Sequence, residues 1–275
     1  MTSAAHDPAE LERLRACRAF MLDMDGTLYV DEVLLPGARE LVVHLTATGR
    51  RVLFVTNNSA RRAADYHARL ARLGIDVPPE AIMTSGDATI GHLRARTAHR
   101  SAFVVGTEAL VDDFRAAGFD VDAEDPDCVV VGFDRTLTYA KLDRACALLL
   151  RGKPYFATHP DKTCITTKGL EPDIGAIIAA CEAVTGRVPH VIGKPRSEMV
   201  AAALARLGAS VVETAVIGDQ LDTDMTMART AGLCGVLVMS GETTPEKLAA
   251  WPRGDRPRLA VRDVAELLEL LVRAR

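Results

Sequence analysis

Strand-length apolar runs alternate with helix-like stretches along most of the chain. Ala19–Leu22 is followed by a helical pattern over Gly37–Thr48. Arg51–Val55 precedes an Ala- and Arg-rich helix predicted from Ala60 to Leu73, which Gly74 stops. Further strands are predicted at Ala102–Val105, Cys128–Phe133, Tyr155–Ala157, Val191–Ile192, Ala215–Ile217 and Gly235–Met239. Helices are predicted at Glu108–Ala117, Tyr139–Leu150, Ile174–Thr185, Glu198–Leu207 and Thr223–Ala231. This order implies an α/β fold with a doubly wound, mainly parallel, Rossmann-like sheet.

The polar residues that end these strands carry the chemistry. In Phe20-Met21-Leu22-Asp23-Met24-Asp25-Gly26-Thr27-Leu28 an apolar run leads into two carboxylates at i and i+2, then a glycine. Open α/β sheets bind ligands at the carboxyl ends of their strands. Two unit charges about 4 Å apart repel by roughly 4 kcal/mol at an effective dielectric near 20, which a cation or a shared proton relieves. The strand before the acids, and Thr27-Leu28-Tyr29 after them, do not suit a calcium-binding helix–loop–helix. The second string, Phe54-Val55-Thr56-Asn57-Asn58-Ser59, places a hydroxyl and two amides where a strand meets a helix N-terminus, a place suited to anions. The third, Val191-Ile192-Gly193-Lys194-Pro195, holds a lysine between Gly and Pro. The fourth, Ala215-Val216-Ile217-Gly218-Asp219-Gln220-Leu221-Asp222-Thr223-Asp224, supplies Asp219 and Asp224, with Asp222 as bystander or cap. Each has a plainer reading alone: a helix N-cap, a surface turn, an acidic first turn. Together they amount to carboxylates, a hydroxyl, amides and a lysine at strand ends, an inventory for Mg²⁺ and a phosphate.

Length and composition narrow the picture. A chain of 275 residues is long for one core and comfortable for two. The net charge of -4 gives no footprint for nucleic acid. The arginines Arg61, Arg62, Arg69 and Arg72 read as solvated helix faces. Met1 to Arg18 lacks the apolar core of a signal peptide, and no stretch reaches the ~20 apolar residues of a membrane span. The six cysteines lack metal-ligand spacing, which points to a reduced, cytoplasmic protein without structural zinc. Cys164, in what reads as a polar loop, is the one candidate for a reactive thiol.

The four strings resemble, in order and in strand context, the four motifs of the haloacid dehalogenase superfamily of phosphotransferases. Asp23-Met24-Asp25-Gly26-Thr27 is similar to the first motif, Thr56 to the second, Lys194 to the third and Gly218-Asp219…Asp224 to the fourth. The long insertion falls between the second and third motifs, as in the C2-capped branch. Thr56-Asn57-Asn58-Ser59, Val131-Gly132-Phe133-Asp134-Arg135, Gly186-Arg187-Val188-Pro189 and Gly193-Lys194-Pro195 look like the NagD-type (class IIA) phosphatases. The resemblance implies a catalytic core of residues 1–83 and 190–275, and an inserted α/β C2 cap of residues 84–189 that sets specificity. Where family members often read Ala-Thr-Asn-x-Asp, this chain has Ala157-Thr158-His159-Pro160-Asp161. His159, Lys162 and Asp173, with Asp134 and Arg135, are the cap's candidates for touching the leaving group. A solvent-facing loop position is the plainer reading of His159.

The resemblance also implies roles. Asp23 is the nucleophile that forms an aspartyl-phosphate, and Asp25 the general acid and base. Thr56, Asn57, Asn58 and Lys194 bind phosphate. Mg²⁺ is held by Asp23, the Asp25 backbone carbonyl and Asp219, with Asp224 one layer out. Small phosphorylated metabolites are the implied substrates: sugar phosphates, glycerol phosphate or phosphoglycolate-like molecules. Neither nucleic acid nor membrane is an expected partner, and a homodimer through the cap is. A phosphomutase is the nearest rival, and a phospho-accepting signalling domain a remote one. An acid at position 25 favours rapid hydrolysis.

Overall fold

The computed structural model describes residues 7–166 and 169–273. Residues 1–6, part of the N-terminal stretch read above as lacking a leader's apolar core, lie outside the described residues. The chain divides into two compact units. One comprises residues 1–56, 67–83 and 203–275, the other 57–66 and 84–202.

A six-stranded sheet organises the first unit. Its order is Leu259–Val261, Cys234–Val238, Thr214–Gly218, Ala19–Leu22, Arg51–Thr56, Ile82–Thr84. Ala19–Leu22 pairs in parallel with both neighbours, so that Leu22 lies between Ile217 and Phe54. From this central strand the chain builds outward on one side through 51–56 and 82–84. It returns to the other side at 214–218, which makes the gap between 19–22 and 214–218 the topological switch point. The strands are buried on both faces, which explains their unbroken apolar runs. Leu22, Phe54 and Ile217 are fully buried, each worth about 1.5–3 kcal/mol of apolar burial. The helices Ala38–Ala47 and Val264–Val272 pack on each other in this unit.

The second unit holds a four-stranded parallel sheet in the order His190–Val191, Tyr155–Ala157, Cys128–Val131, Ala102–Val105. The helices Tyr139–Leu150 and Ile174–Thr185 pack against it, burying Leu148, Leu149, Ile174 and Ile177 on Val129 and Val131.

Several expectations need correction. The helix predicted from Ala60 begins at Ala63, because the Asn58 side chain and the Asp65 carboxylate hold the N–H groups of Ala60 and Arg62 in a turn. The helix predicted from Thr223 opens instead with a π-helical turn, Leu221–Met225, and becomes regular at Thr226–Ala231. Cys164 is not in a loop. It lies in the strand Thr163–Thr166, paired antiparallel with Gly169–Pro172, and burial with the nearby Asp173 and Glu171 charges raises its thiol pKa. That is the wrong direction for a reactive cysteine.

Candidate active site

Asp23 continues the central strand, its N–H still bonded to the Ile217 carbonyl at 2.9 Å. Asp23 and Asp25 follow the strand with Met24, fully buried, between them. At Gly26 the chain turns with φ of +80°, and a Cβ there would stand 2.5 Å from Asp219 Oδ2. Glycine is therefore needed twice, for the left-handed backbone and for passage beside that carboxylate. The Gly26 N–H closes the turn on the Tyr29 carbonyl at 2.8 Å.

Asp219 follows the adjacent strand, Thr214–Gly218. Its Oδ2 accepts the Glu242 N–H at 2.6 Å, and its carbonyl accepts the Thr243 hydroxyl at 2.6 Å. Asp224 rides on the π-helical turn, which swings it back so that its Oδ2 accepts the Gln220 N–H at 3.3 Å. Asp23, Asp219 and Asp224 each place a carboxylate oxygen within 4.8 Å of the others. Asp219 is 2% exposed and Asp224 1%. Three carboxylates so close, two in the interior, form an all-oxygen donor set suited to a hard divalent cation. Asp222 is exposed and stands apart from the set.

The Asp25 side chain is 54% exposed, with Oδ1 3.5 Å from Arg69 Nη1. Arg69 overturns the reading of its helix as a solvated face, since it is only 7% exposed. Its guanidinium lies 4.1 Å over the Tyr29 ring, pairs with Glu32 at 3.4 Å and donates to the Asp31 carbonyl. Cation–π contact and carboxylates on two sides make burial of this charge tolerable. Thr56 is buried at the end of its strand in the same unit.

Asn57 and Lys194 belong to the second unit. The Lys194 N–H donates to Asn57 Oδ1 at 2.8 Å, and Asn57 Nδ2 donates to the Lys194 carbonyl at 3.1 Å. The same amide reaches both Asp161 carboxylate oxygens, at 3.2 and 3.1 Å. Gly193 makes this possible: a Cβ would meet the Thr158 carbonyl at 2.4 Å and Asn57 Oδ1 at 2.7 Å. Asn58 uses its side-chain oxygen to accept the Ala60 N–H at 2.9 Å.

Among the cap candidates, His159 is fully buried, against the solvent-facing reading. Its Nδ1 is 3.1 Å from Asp161 and its Nε2 3.7 Å from Asp173. Burial works to raise the Asp161 carboxyl, but His159, Asn57 and Lys194 outweigh it and hold it below the usual carboxylate range. For Asp173 burial wins over His159 and the Ile174 N–H, and its pKa rises. Lys162 is exposed. Asp134 is committed elsewhere, accepting from Thr136 at 2.8 and 2.6 Å and pairing with Lys141 at 2.7 Å. Arg135 pairs with Glu171 at 2.9 Å.

Sequence reasoning missed Arg69, Asp161 and the loop Ser240–Thr243. A glycine followed by Glu and Thr just after the strand 234–238 was the available signal for the loop. Ser240 bonds the Gly26 carbonyl at 2.8 Å, so this loop ties the first and fourth strings together.

A family model described as haloacid dehalogenase-like hydrolase matches residues 20–120, and one described as HAD-hydrolase-like matches 191–267. The chain is 35% identical to the dihydroxyacetone phosphatase of Corynebacterium glutamicum over 91% of its own length and 90% of the relative's. It is 34% identical to the ribonucleotide monophosphatase NagD of Escherichia coli, over 89% and 96%. A crystal structure of the glycerol phosphate phosphatase from Mycobacterium tuberculosis in complex with magnesium superposes with a TM-score of 0.85 at 31% identity, covering 93% of this chain and 77% of that one.

Proposed function

We propose that this chain, which belongs to the haloacid dehalogenase-like hydrolases, releases orthophosphate from small phosphomonoesters such as triose, glycerol or other sugar phosphates and phosphoglycolate-like molecules. The observation that carries the reading is the triple-carboxylate cluster at the ends of adjacent parallel strands. Asp23, Asp219 and the Asp25 carbonyl would hold Mg²⁺, with Asp224 one layer out, and the ion when bound would supply two positive charges against the phosphate.

The chain's own residues do the rest. Asp23 attacks phosphorus in line: its oxygen gains a bond to phosphorus as the ester oxygen leaves. Asp25 gives that oxygen a proton. It then takes one from the water that attacks the aspartyl-phosphate, which frees orthophosphate and restores Asp23. The half-exposed position of Asp25 suits a group that must meet both a leaving alkoxide and water. Lys194, Thr56, Asn57 and Asn58 are assigned to phosphate binding, with Lys194 the cation among them. Residues 84–189 are assigned to the cap, and His159, Lys162 and Asp173 to its specificity. The six free cysteines support the reading of a reduced, cytoplasmic enzyme; no described helix is long and apolar enough to cross a membrane. A homodimer through the cap belongs to the same reading.

A phosphate-release screen over some fifty metabolites, with and without Mg²⁺, tests it, together with acid-quench trapping and peptide mapping. The expected result is Mg²⁺-dependent release with a phosphate adduct on Asp23. Equal release after exhaustive chelation, or isomerised bisphosphate in place of orthophosphate, refutes it.

A further inference from the structure

We propose that His159, Asp161 and Asp173 form a second divalent-metal site, within the second unit, built for a transition ion such as Zn²⁺ or Co²⁺. Each offers one ligand atom within 4.8 Å of the others. The imidazole is fully buried, and neither ring nitrogen makes an aligned hydrogen bond among the described residues. A neutral imidazole sealed in that way forfeits about 1–3 kcal/mol per stranded polar group.

The geometry favours an ion over a direct contact. Nδ1 stands 3.1 Å from Asp161 Oδ2, close enough for a hydrogen bond, yet the two are misaligned. Ligands on a tetrahedral ion with bonds near 2.1 Å sit about 3.4 Å apart, each on its own line to the metal. An oxygen near the nitrogen but off its N–H axis is the arrangement an intervening cation needs. One ring nitrogen alone can face the ion, and the Asp173 carboxylate, whose Oδ1 stands 3.7 Å from Nε2, offers its ligand oxygen within 4.8 Å of the other two ligand atoms.

The carboxylates are oriented from behind, as metal ligands are. Asn57 Nδ2 donates to both Asp161 oxygens, and the Ile174 N–H to Asp173 Oδ1 at 2.5 Å. Backbone bonds fix the loop: Gly193 N–H to the Thr158 carbonyl at 2.7 Å, Gly175 N–H to Asp161 at 2.8 Å and Asp173 N–H to Lys162 at 3.0 Å. One imidazole and two carboxylates select a borderline ion, whereas the Asp23 cluster, all oxygen, selects Mg²⁺. Three protein ligands leave a position open for water or an anionic oxygen. The rival arrangement is an imidazolium held directly between the carboxylates.

Cobalt distinguishes the two. Tag-free, EDTA-stripped full-length protein, in millimolar Mg²⁺, is titrated with Co²⁺ while its visible d–d absorption is read, with Zn²⁺ calorimetry in parallel. One equivalent per chain is expected, retained when Asp219→Asn and Asp224→Asn are combined. Asp173→Asn, which keeps an acceptor for the Ile174 N–H, and His159→Ala should each weaken binding at least ~10-fold. His92 and His190 stack at 5.5 Å, so His190→Ala must keep the signal. If His159→Ala does not fold, Asp173→Asn decides alone. No Co²⁺ uptake by the wild type, or uptake unchanged in Asp173→Asn, overturns the site. Neither result touches phosphate release by the Asp23 cluster.

Discussion

Replacing Asp219 by Asn should stabilise the metal-free protein while abolishing its response to Mg²⁺. The amide oxygen can still accept the Glu242 N–H that now reaches Asp219 Oδ2 at 2.6 Å, so the substitution removes chiefly charge. The cluster's ligand oxygens lie within 4.8 Å of one another, and at that limit two unit charges at an effective dielectric of about 20 repel by roughly 3.5 kcal/mol. Asp219 takes part in two such pairs, giving about 7 kcal/mol. The full sum is not realised, because binding one proton relieves the cluster. From an ordinary Asp pKa near 3.9, that proton costs about 5 kcal/mol at pH 7.5, which bounds the gain from above. Water at the half-buried Asp23 lowers it further, so the expected gain lies between about 1 and 5 kcal/mol, or at least about 2 °C in Tm. Thermal unfolding at pH 7.5 in EDTA, then in Mg²⁺, measures both effects. Mg²⁺ at 100 times its Kd should stabilise the wild type by about 2.7 kcal/mol and leave Asp219→Asn where it was. A well-folded Asp219→Asn that melts no higher than wild type in EDTA, or still responds to Mg²⁺, refutes the electrostatic account of the cluster.

Asp25→Ala should slow steady-state phosphate release by at least ~100-fold, the low end for losing general acid–base catalysis; wild-type turnover would remove its assigned role. Arg69→Met removes the buried cation that Tyr29, Glu32 and Asp25 surround and should lower Tm by at least about 2 °C in a thermal melt at pH 7.5. An unchanged Tm would show that these contacts add nothing to stability. Asp113, whose pKa burial raises to about 6 against the opposing Arg62, binds its proton more tightly folded than unfolded. Its contribution to stability is therefore present below pH 4 and lost as pH rises through about 6. Asp113→Asn should melt close to wild type at pH 4 and above it at pH 7.5; the reverse order would contradict the sign.

Much of the core was legible because its signals are local. Leu22 to Gly26 states in five consecutive residues that a buried strand ends in acid and turns, and the same grammar recurs at Thr56 and Asp219. What escaped depends on partners distant in the chain. Nothing near Arg69 in sequence separates it from Arg72: both pair with Glu32, and it is the Tyr29 ring, arriving from the first motif's hairpin, that covers Arg69 alone. The burial of His159 needs Gly193, more than thirty residues later, to bring backbone against its loop. The π-helical turn was hidden for a different reason: the bonds that accompany it, the Gln220 N–H on the Asp224 carboxylate, the Thr223 hydroxyl on the Gln220 amide and the Thr226 hydroxyl on the Leu221 carbonyl, are side-chain contacts that residue order does not announce.

These cases share a physical cause. Apolar burial gains about 25 cal/mol per Å² wherever the residue ends up, so a strand can be read from its own composition. A buried charge is stable only in the company that neutralises it, and that company is specified by the fold rather than by the neighbouring sequence. Asp219 makes the point from both directions. Its position at a strand end is visible in Val216-Ile217-Gly218-Asp219, yet at 2% exposure its carboxylate is met by the Glu242 N–H, 23 residues on, and passed closely by Gly26. Sequence therefore locates the acids well and their partners poorly: Arg69 beside Asp25, the Glu242 N–H on Asp219 and the Asn57 amide on Asp161 all lie far along the chain from the acids they meet.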